Sequence, residues 1–165
     1  NVKEVCSDMS SAFIRGVNES LPLAQITFDK FHVSQIIHRA VDQTRRAERG
    51  VFPELKGHRY TLLRNVETMS DFKMEFASDL LLRKHTTKTA RAFHLKLVFQ
   101  DFYRQPRASA EEFLRQWSAW PQRCRVPSMV DAARTLRRHS AGTLRRFPSH
   151  IPTAPTDPSV TSFLV

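Results

Sequence analysis

The spacing of apolar and polar positions changes twice along this chain, and the changes divide it. Val2 to Cys6 reads as a short β-prone run that ends at Ser7-Asp8. Ser10 or Ser11 can cap a helix to about Glu19, with Phe13, Ile14 and Val17 on one face. Leu21-Pro22 stops it, and Ala24 to Phe28 alternates like a second strand that ends at Asp29. The first thirty residues therefore predict strand, helix, strand, with an aspartate after each strand. That is half of an α/β unit, too small to stand alone.

From there the period becomes helical. A long amphipathic helix is expected from about Val33 to Glu48, with Ile36, Ile37, Ala40 and Val41 as its apolar stripe, Thr44 extending it and Gly50 ending it. Tyr60 to Leu63 reads as helix or strand. Ser70 is an expected N-cap for a helix to about Lys84, with Phe72, Phe76, Leu80 and Leu81 inward. Thr86 or Thr87 starts another, through Phe93, Leu95 and Phe102 to near Tyr103. Ser109 and Glu112 have capping-box spacing for a helix that carries Phe113, Leu114 and Trp117 and ends before Pro121. Ser128 is expected to cap a last helix with Val130, Ala133, Leu136 and Leu144 inward. Residues 33–147 thus predict an all-helical layer. Beyond Pro148 the helical period is lost, prolines, Ser and Thr take over, and Asp157 is the single formal charge. Residues 148–165 are expected to form a disordered tail, as if unrelated or frameshifted sequence were joined on. The fold class predicted is mostly α (α+β).

Composition sharpens this in one direction. At 41% hydrophobic and 25% charged, the 165 residues suit a soluble globular protein. No apolar run approaches the ~20 residues of a membrane span, and no secretory h-region opens the chain. It begins at Asn1 without an initiator Met, inside a predicted strand, so the domain's natural beginning is expected to be missing. Cys6 and Cys124 lack zinc-site spacing and are expected to be small buried hydrophobes in a reduced, cytoplasmic setting. The 26 Lys+Arg against 16 Asp+Glu give a formal net charge of +10. Most of those cations are Arg, whose planar fork suits phosphate. Nucleic acid is the first candidate partner and an anionic membrane surface the second.

The candidate chemistry starts with Val5-Cys6-Ser7-Asp8-Met9-Ser10-Ser11-Ala12-Phe13. A carboxylate at a strand end is rigidly placed and suits one of two Mg²⁺ ions that activate a nucleophile and stabilise a leaving oxygen. Asp8 can equally serve as a helix N-cap. A second stretch, Ile26-Thr27-Phe28-Asp29-Lys30-Phe31-His32-Val33, follows the second strand. Then come Ala40-Val41-Asp42-Gln43-Thr44-Arg45-Arg46-Ala47-Glu48, Leu55-Lys56-Gly57-His58-Arg59-Tyr60, Leu62-Leu63-Arg64-Asn65 and Lys88-Thr89-Ala90-Arg91-Ala92-Phe93, with a last piece from Ala133 to His139.

In their order and spacing these pieces resemble insertion-sequence transposases of the DDE type, ISL-three group, over most of residues 2–147. The resemblance implies a partial ribonuclease H-like catalytic core at 1–32, the helical insertion region of the DDE domain at 33–147 and the tail at 148–165. It makes Asp8 the second acid of the catalytic triad and a Mg²⁺ ligand. It makes Asp29 and His32 a supporting D-x-x-H signature. The first and third acids have no match here, so the chain is expected to be a fragment that binds no Mg²⁺ and is inactive alone. Such machinery binds the terminal inverted repeats of a mobile element, cuts DNA and joins the element elsewhere. DNA is the partner implied, with no membrane. A homo-oligomer or an association with full-length transposase is an open expectation, in a bacterial cytoplasm at the nucleoid. Two other readings stay open: a non-catalytic DNA-binding module that interferes with full-length relatives, and a decayed gene product.

Arg39, Arg45, Arg46, Arg134, Arg137 and Arg138 are the candidate phosphate contacts, the last three sharing a helix face. The alternative is a solvated face paired locally to Asp131 or Glu48. Trp117 and Trp120 are core residues or, alternatively, platforms for an exposed base.

Overall fold

The computed structural model describes residues 2–7, 9–83 and 86–147. Among them, two short strands and eight α-helices follow the predicted order. The expectations placed on Asp8, Lys84 and the 148–165 tail lie outside the described residues. Strand β1 (Glu4–Ser7) pairs in parallel with β2 (Gln25–Phe28), with Ser7 opposite Phe28. Helix α1 (Ser11–Ser20) connects them. A parallel pair needs such a crossover, because a tight hairpin cannot return the chain in the same direction.

Helix α2 (Lys30–Glu48) begins three residues earlier than predicted. Asp29 turns the chain at its N-cap and accepts a hydrogen bond from the Phe31 N–H at 3.4 Å. Val33, Ile37, Ala40 and Val41 are buried along its inner stripe. Against them pack α5 (Lys88–Gln100) and α7 (Pro127–Arg138), while α6 (Arg107–Arg123) packs on α7. Helices α3 (Arg59–Leu63) and α4 (Asp71–Leu82) lie at one side. The ambiguous segment at Tyr60–Leu63 is thereby settled as helix. Phe99, Phe102, Tyr103, Trp117 and Phe147 stack where α5, α6 and the chain's last described turn meet. The buried Trp117 donates its indole N–H to the Leu95 carbonyl at 3.0 Å, which makes it a core residue.

Helix α8 (Ser140–Arg145) returns the chain to the sheet and packs on β2. A Cβ on Gly142 would stand 2.4 Å from a Phe28 ring carbon and 2.9 Å from the Ile26 carbonyl oxygen. Only glycine permits this approach. Arg145 donates to the same Ile26 carbonyl at 2.7 Å.

Several local expectations give way, each for a stated reason. Ser109 is no cap: α6 starts at Arg107, and Glu112 faces Arg115 and Gln116 on its own helix. The helix also runs through Pro121 to Arg123. It ends in a Schellman turn, with the Arg125 N–H on the Gln122 carbonyl and the Val126 N–H on the Pro121 carbonyl. Arg125 takes the left-handed conformation this turn requires, at φ 54°. Ser128 lies inside α7, one residue past the Pro127 that starts it. Its hydroxyl reaches the Ala40 carbonyl at 3.0 Å and the Thr44 hydroxyl at 2.6 Å. The predicted last helix is two, because the chain breaks at His139 to lay α8 on the strand. Phe13 and Phe72 are exposed, since no described element covers the outer sides of α1 and α4. Cys6 is exposed on the open face of β1, and Cys124 is half-buried with burial pushing its thiol up.

Candidate nucleic-acid interface

The segments with the strongest motif character mostly hold one another. Asp42 is buried on α2 and receives three guanidinium groups: Arg45 at 2.8 Å, Arg46 at 2.8 Å and Arg59 at 3.4 Å. Burial pushes its carboxyl up, but the Arg45 hydrogen bond and the three positive charges outweigh it and hold the group below its ordinary range. Arg45 is itself buried and also reaches the Leu55 carbonyl. Glu48, at the end of α2, accepts from the Lys88 N–H at 2.8 Å and from the Thr89 N–H at 2.7 Å, and so caps α5. Gly57 turns the chain at φ 79° ahead of His58, whose ring stacks on Phe76 at 3.6 Å. The Arg64 carbonyl accepts from the buried ammonium of Lys96. These residues set the scaffold, which places the remaining ones.

At the sheet, the Asp29 N–H donates to the Ser7 carbonyl at 3.4 Å, so the two strand ends lie side by side. The Asp29 carboxylate is half-buried and faces Arg146 at 3.5 Å, with Tyr103 close by. His32 is half-buried one turn on, edge-on to Phe31. A divalent cation needs several oxygen ligands turned to one point. The described residues contain no group of three His, Cys, Asp or Glu side chains that could supply them. Asp29 is already engaged by a cation of the chain's own. The described donor set therefore does not fit Mg²⁺, and no step is routed through the ion.

Between α2 and α7 lies a groove of about 400 Å³. Helix α2 gives it His32, Gln35, Ile36, Arg39 and Gln43, and α7 gives it Ser128, Asp131, Ala132 and Thr135. Met9 and Ser10 close one end, the two residues that follow Asp8 in the chain. The sequence carries a signal for this site beside the apolar stripe of α2. His32, Gln35, Arg39 and Gln43 recur every three or four residues, a polar stripe beside the apolar one.

The six candidate arginines divide accordingly. Arg39 is exposed on the groove wall, with no ion-pair partner among the described residues. Arg137 and Arg138 are exposed at the end of α7. Arg134 is exposed and pairs with Asp131 at 3.3 Å, a contact of little strength between two solvated groups. Arg46 is solvated but tied to Asp42, and Arg45 is not offered to any phosphate. Asp131 and Arg138 stand seven residues apart, on the same side of α7. The groove's α7 wall therefore leads to Arg138, and Arg39 faces it from α2.

A family model described as "Transposase", of the DDE type and ISL3 group, matches residues 1–157. The transposase for insertion sequence element IS1557 of Mycobacterium tuberculosis is 31% identical over 85 residues, 52% of this chain and 19% of that protein. The transposase for insertion sequence element IS1001 of Bordetella parapertussis is 26% identical over 153 residues, 88% of this chain and 37% of that protein. The chain thus spans less than two-fifths of the length of these relatives. No solved structure matches it.

Proposed function

This chain belongs to the ISL3 group of DDE transposases, and from that premise we propose that it supplies DNA binding to the transposition of an insertion sequence. The observation that carries the reading is the arrangement of exposed cations. Arg39 on one wall of the groove and Arg134, Arg137 and Arg138 on the other helix stay exposed. Arg45 is buried against Asp42, and Arg46 and Arg59, though solvated, are paired to the same carboxylate. In a chain of net charge +10, those exposed groups are open to a phosphate backbone. Guanidinium groups on phosphates release condensed counterions and fix the register of the duplex without reading its sequence.

Strand cleavage and transfer are the chemistry of the whole family machinery. In this proposal residues 1–32 belong to its ribonuclease H-like core, with Asp8 as one Mg²⁺ ligand, and residues 33–147 form its insertion region. Asp29 and His32 support the site by fixing the junction of β2 and α2. Asp8 is the one triad acid that the resemblance matches within these residues. The chain by itself is therefore proposed to bind DNA and not to cut it.

Fluorescence anisotropy on a labelled duplex tests the binding. The expected affinity falls steeply as salt rises, and an absence of binding at low salt overturns the reading. Nicking of supercoiled plasmid in Mg²⁺ or Mn²⁺ tests the rest. The expected result is none, and nicking that disappears in Asp8→Ala overturns the inactivity.

A further inference from the structure

We infer that the groove between α2 and α7 receives a single unstacked nucleotide of a DNA strand, with guanine as its preferred base. This rests on the DNA-binding reading and goes beyond it, because backbone contacts alone would need no recess. The volume of about 400 Å³ lies at the low end of the ~300–1,000 Å³ typical of small-molecule sites. It admits one nucleotide and excludes a double helix.

The lining fits that occupant in kind. Met9, Ile36 and Ala132 give the lining aliphatic surface against which the face of a base can lie. Arg39 stands on one wall with its guanidinium uncommitted among the described residues, as a phosphate requires. Asp131 stands on the other wall, loosely paired to Arg134 at 3.3 Å, and when ionised its remaining lone pairs only accept hydrogen bonds. It repels a phosphate and attracts N–H groups, so the nucleotide is oriented with its phosphate at Arg39 and its base toward α7. Guanine fits best because its ring N–H and exocyclic amino group stand side by side as donors. The exposed Gln35 amide can both donate and accept, and so completes the contact to a base edge. Enzymes that take a base out of the stack read it in this way, by hydrogen bonds to its edge above an apolar surface.

The test compares a fully paired duplex with the same duplex carrying one bulged guanine, by anisotropy at fixed salt. The bulged duplex is expected to bind at least about fivefold more tightly, within the range of one well-made base contact. Asp131→Asn should erase most of that preference. Gln43→Trp, at an exposed position on the rim, should fill the groove and erase it too. Equal binding of the two duplexes overturns the inference and leaves the DNA-binding reading standing. So does a preference that survives Asp131→Asn and Gln43→Trp. Failure of both duplexes to bind removes the inference together with the reading beneath it.

Discussion

Arg45 and Arg46 stand in the last turn of α2, and Arg137 and Arg138 in the last turn of α7. In sequence the two pairs look alike. In the structure, Arg45 is buried against Asp42 and Arg46 is drawn to the same carboxylate, while Arg137 and Arg138 stand in solvent. The difference comes from one turn upstream. Asp42 lies three and four residues before its arginines, and Arg59 and the Leu55 carbonyl close over it from the next segment. In α7 the acid is Asp131, too far back to reach beyond Arg134. A basic run therefore becomes scaffold or surface according to where its nearest acid sits and whether the fold covers it.

The strongest way to break this contrast is Asp42→Ala. It strands a buried guanidinium and should cost about 3–5 kcal/mol in denaturant unfolding. The same contribution depends on pH. The Asp42 carboxyl is depressed in the folded state, so the stability is present above the unfolded value near ~4 and fades as acid titrates the folded group. A wild-type protein as stable at pH 3 as at pH 6 would sink this account.

A buried cation with no carboxylate beside it sharpens the contrast from the other side. Burial lowers Lys96 from 10.5 to about 8. Between those values the unfolded chain holds more protons than the folded one, so stability should rise from pH 8 toward 10.5, by up to ~3 kcal/mol. Tyr103 works the opposite way. Burial raises it, with Arg146 opposing and Asp29 adding, so the curve should turn down above about pH 10. Thermal melts across this range read both limbs. Lys96→Met should remove the rise, with no loss of stability at pH 7.

Smaller effects belong to the surface. The double variant Arg137→Gln/Arg138→Gln should weaken duplex binding severalfold and lower the salt slope by about 1–2, with the melting temperature unchanged. Unaltered salt dependence would place the phosphates elsewhere. Smallest of all, Asp131→Ala should shift stability by less than about 0.5 kcal/mol, because its pair with Arg134 is solvated on both sides.

Periodicity carried most of the architecture. The β-α-β opening, the apolar stripe of α2 and the Thr87 cap of α5, whose hydroxyl accepts from the Ala90 N–H, all follow from local rules. Several of the misses depended on a residue distant in the chain. Ser128 looked like a cap, but its hydroxyl is used by Ala40 and Thr44 on another helix. The break at His139 serves the seat of Gly142 on Phe28, a contact across more than a hundred residues. Phe72 looked inward by spacing, yet nothing among the described residues covers it. At the candidate site, Arg39 could be read as a free cation. Arg45 could not be read as a buried one, because Leu55 and Arg59 close the space around it.

The junction at β2 has one more consequence. The chain leaves the sheet at Asp29 and returns at Arg145 and Arg146, which bond to Ile26 and Asp29. Departure and return share one doorway, and there the described strands meet the helical layer. A cassette attached in this manner can lengthen, shrink or be exchanged over evolutionary time while its host sheet keeps its shape.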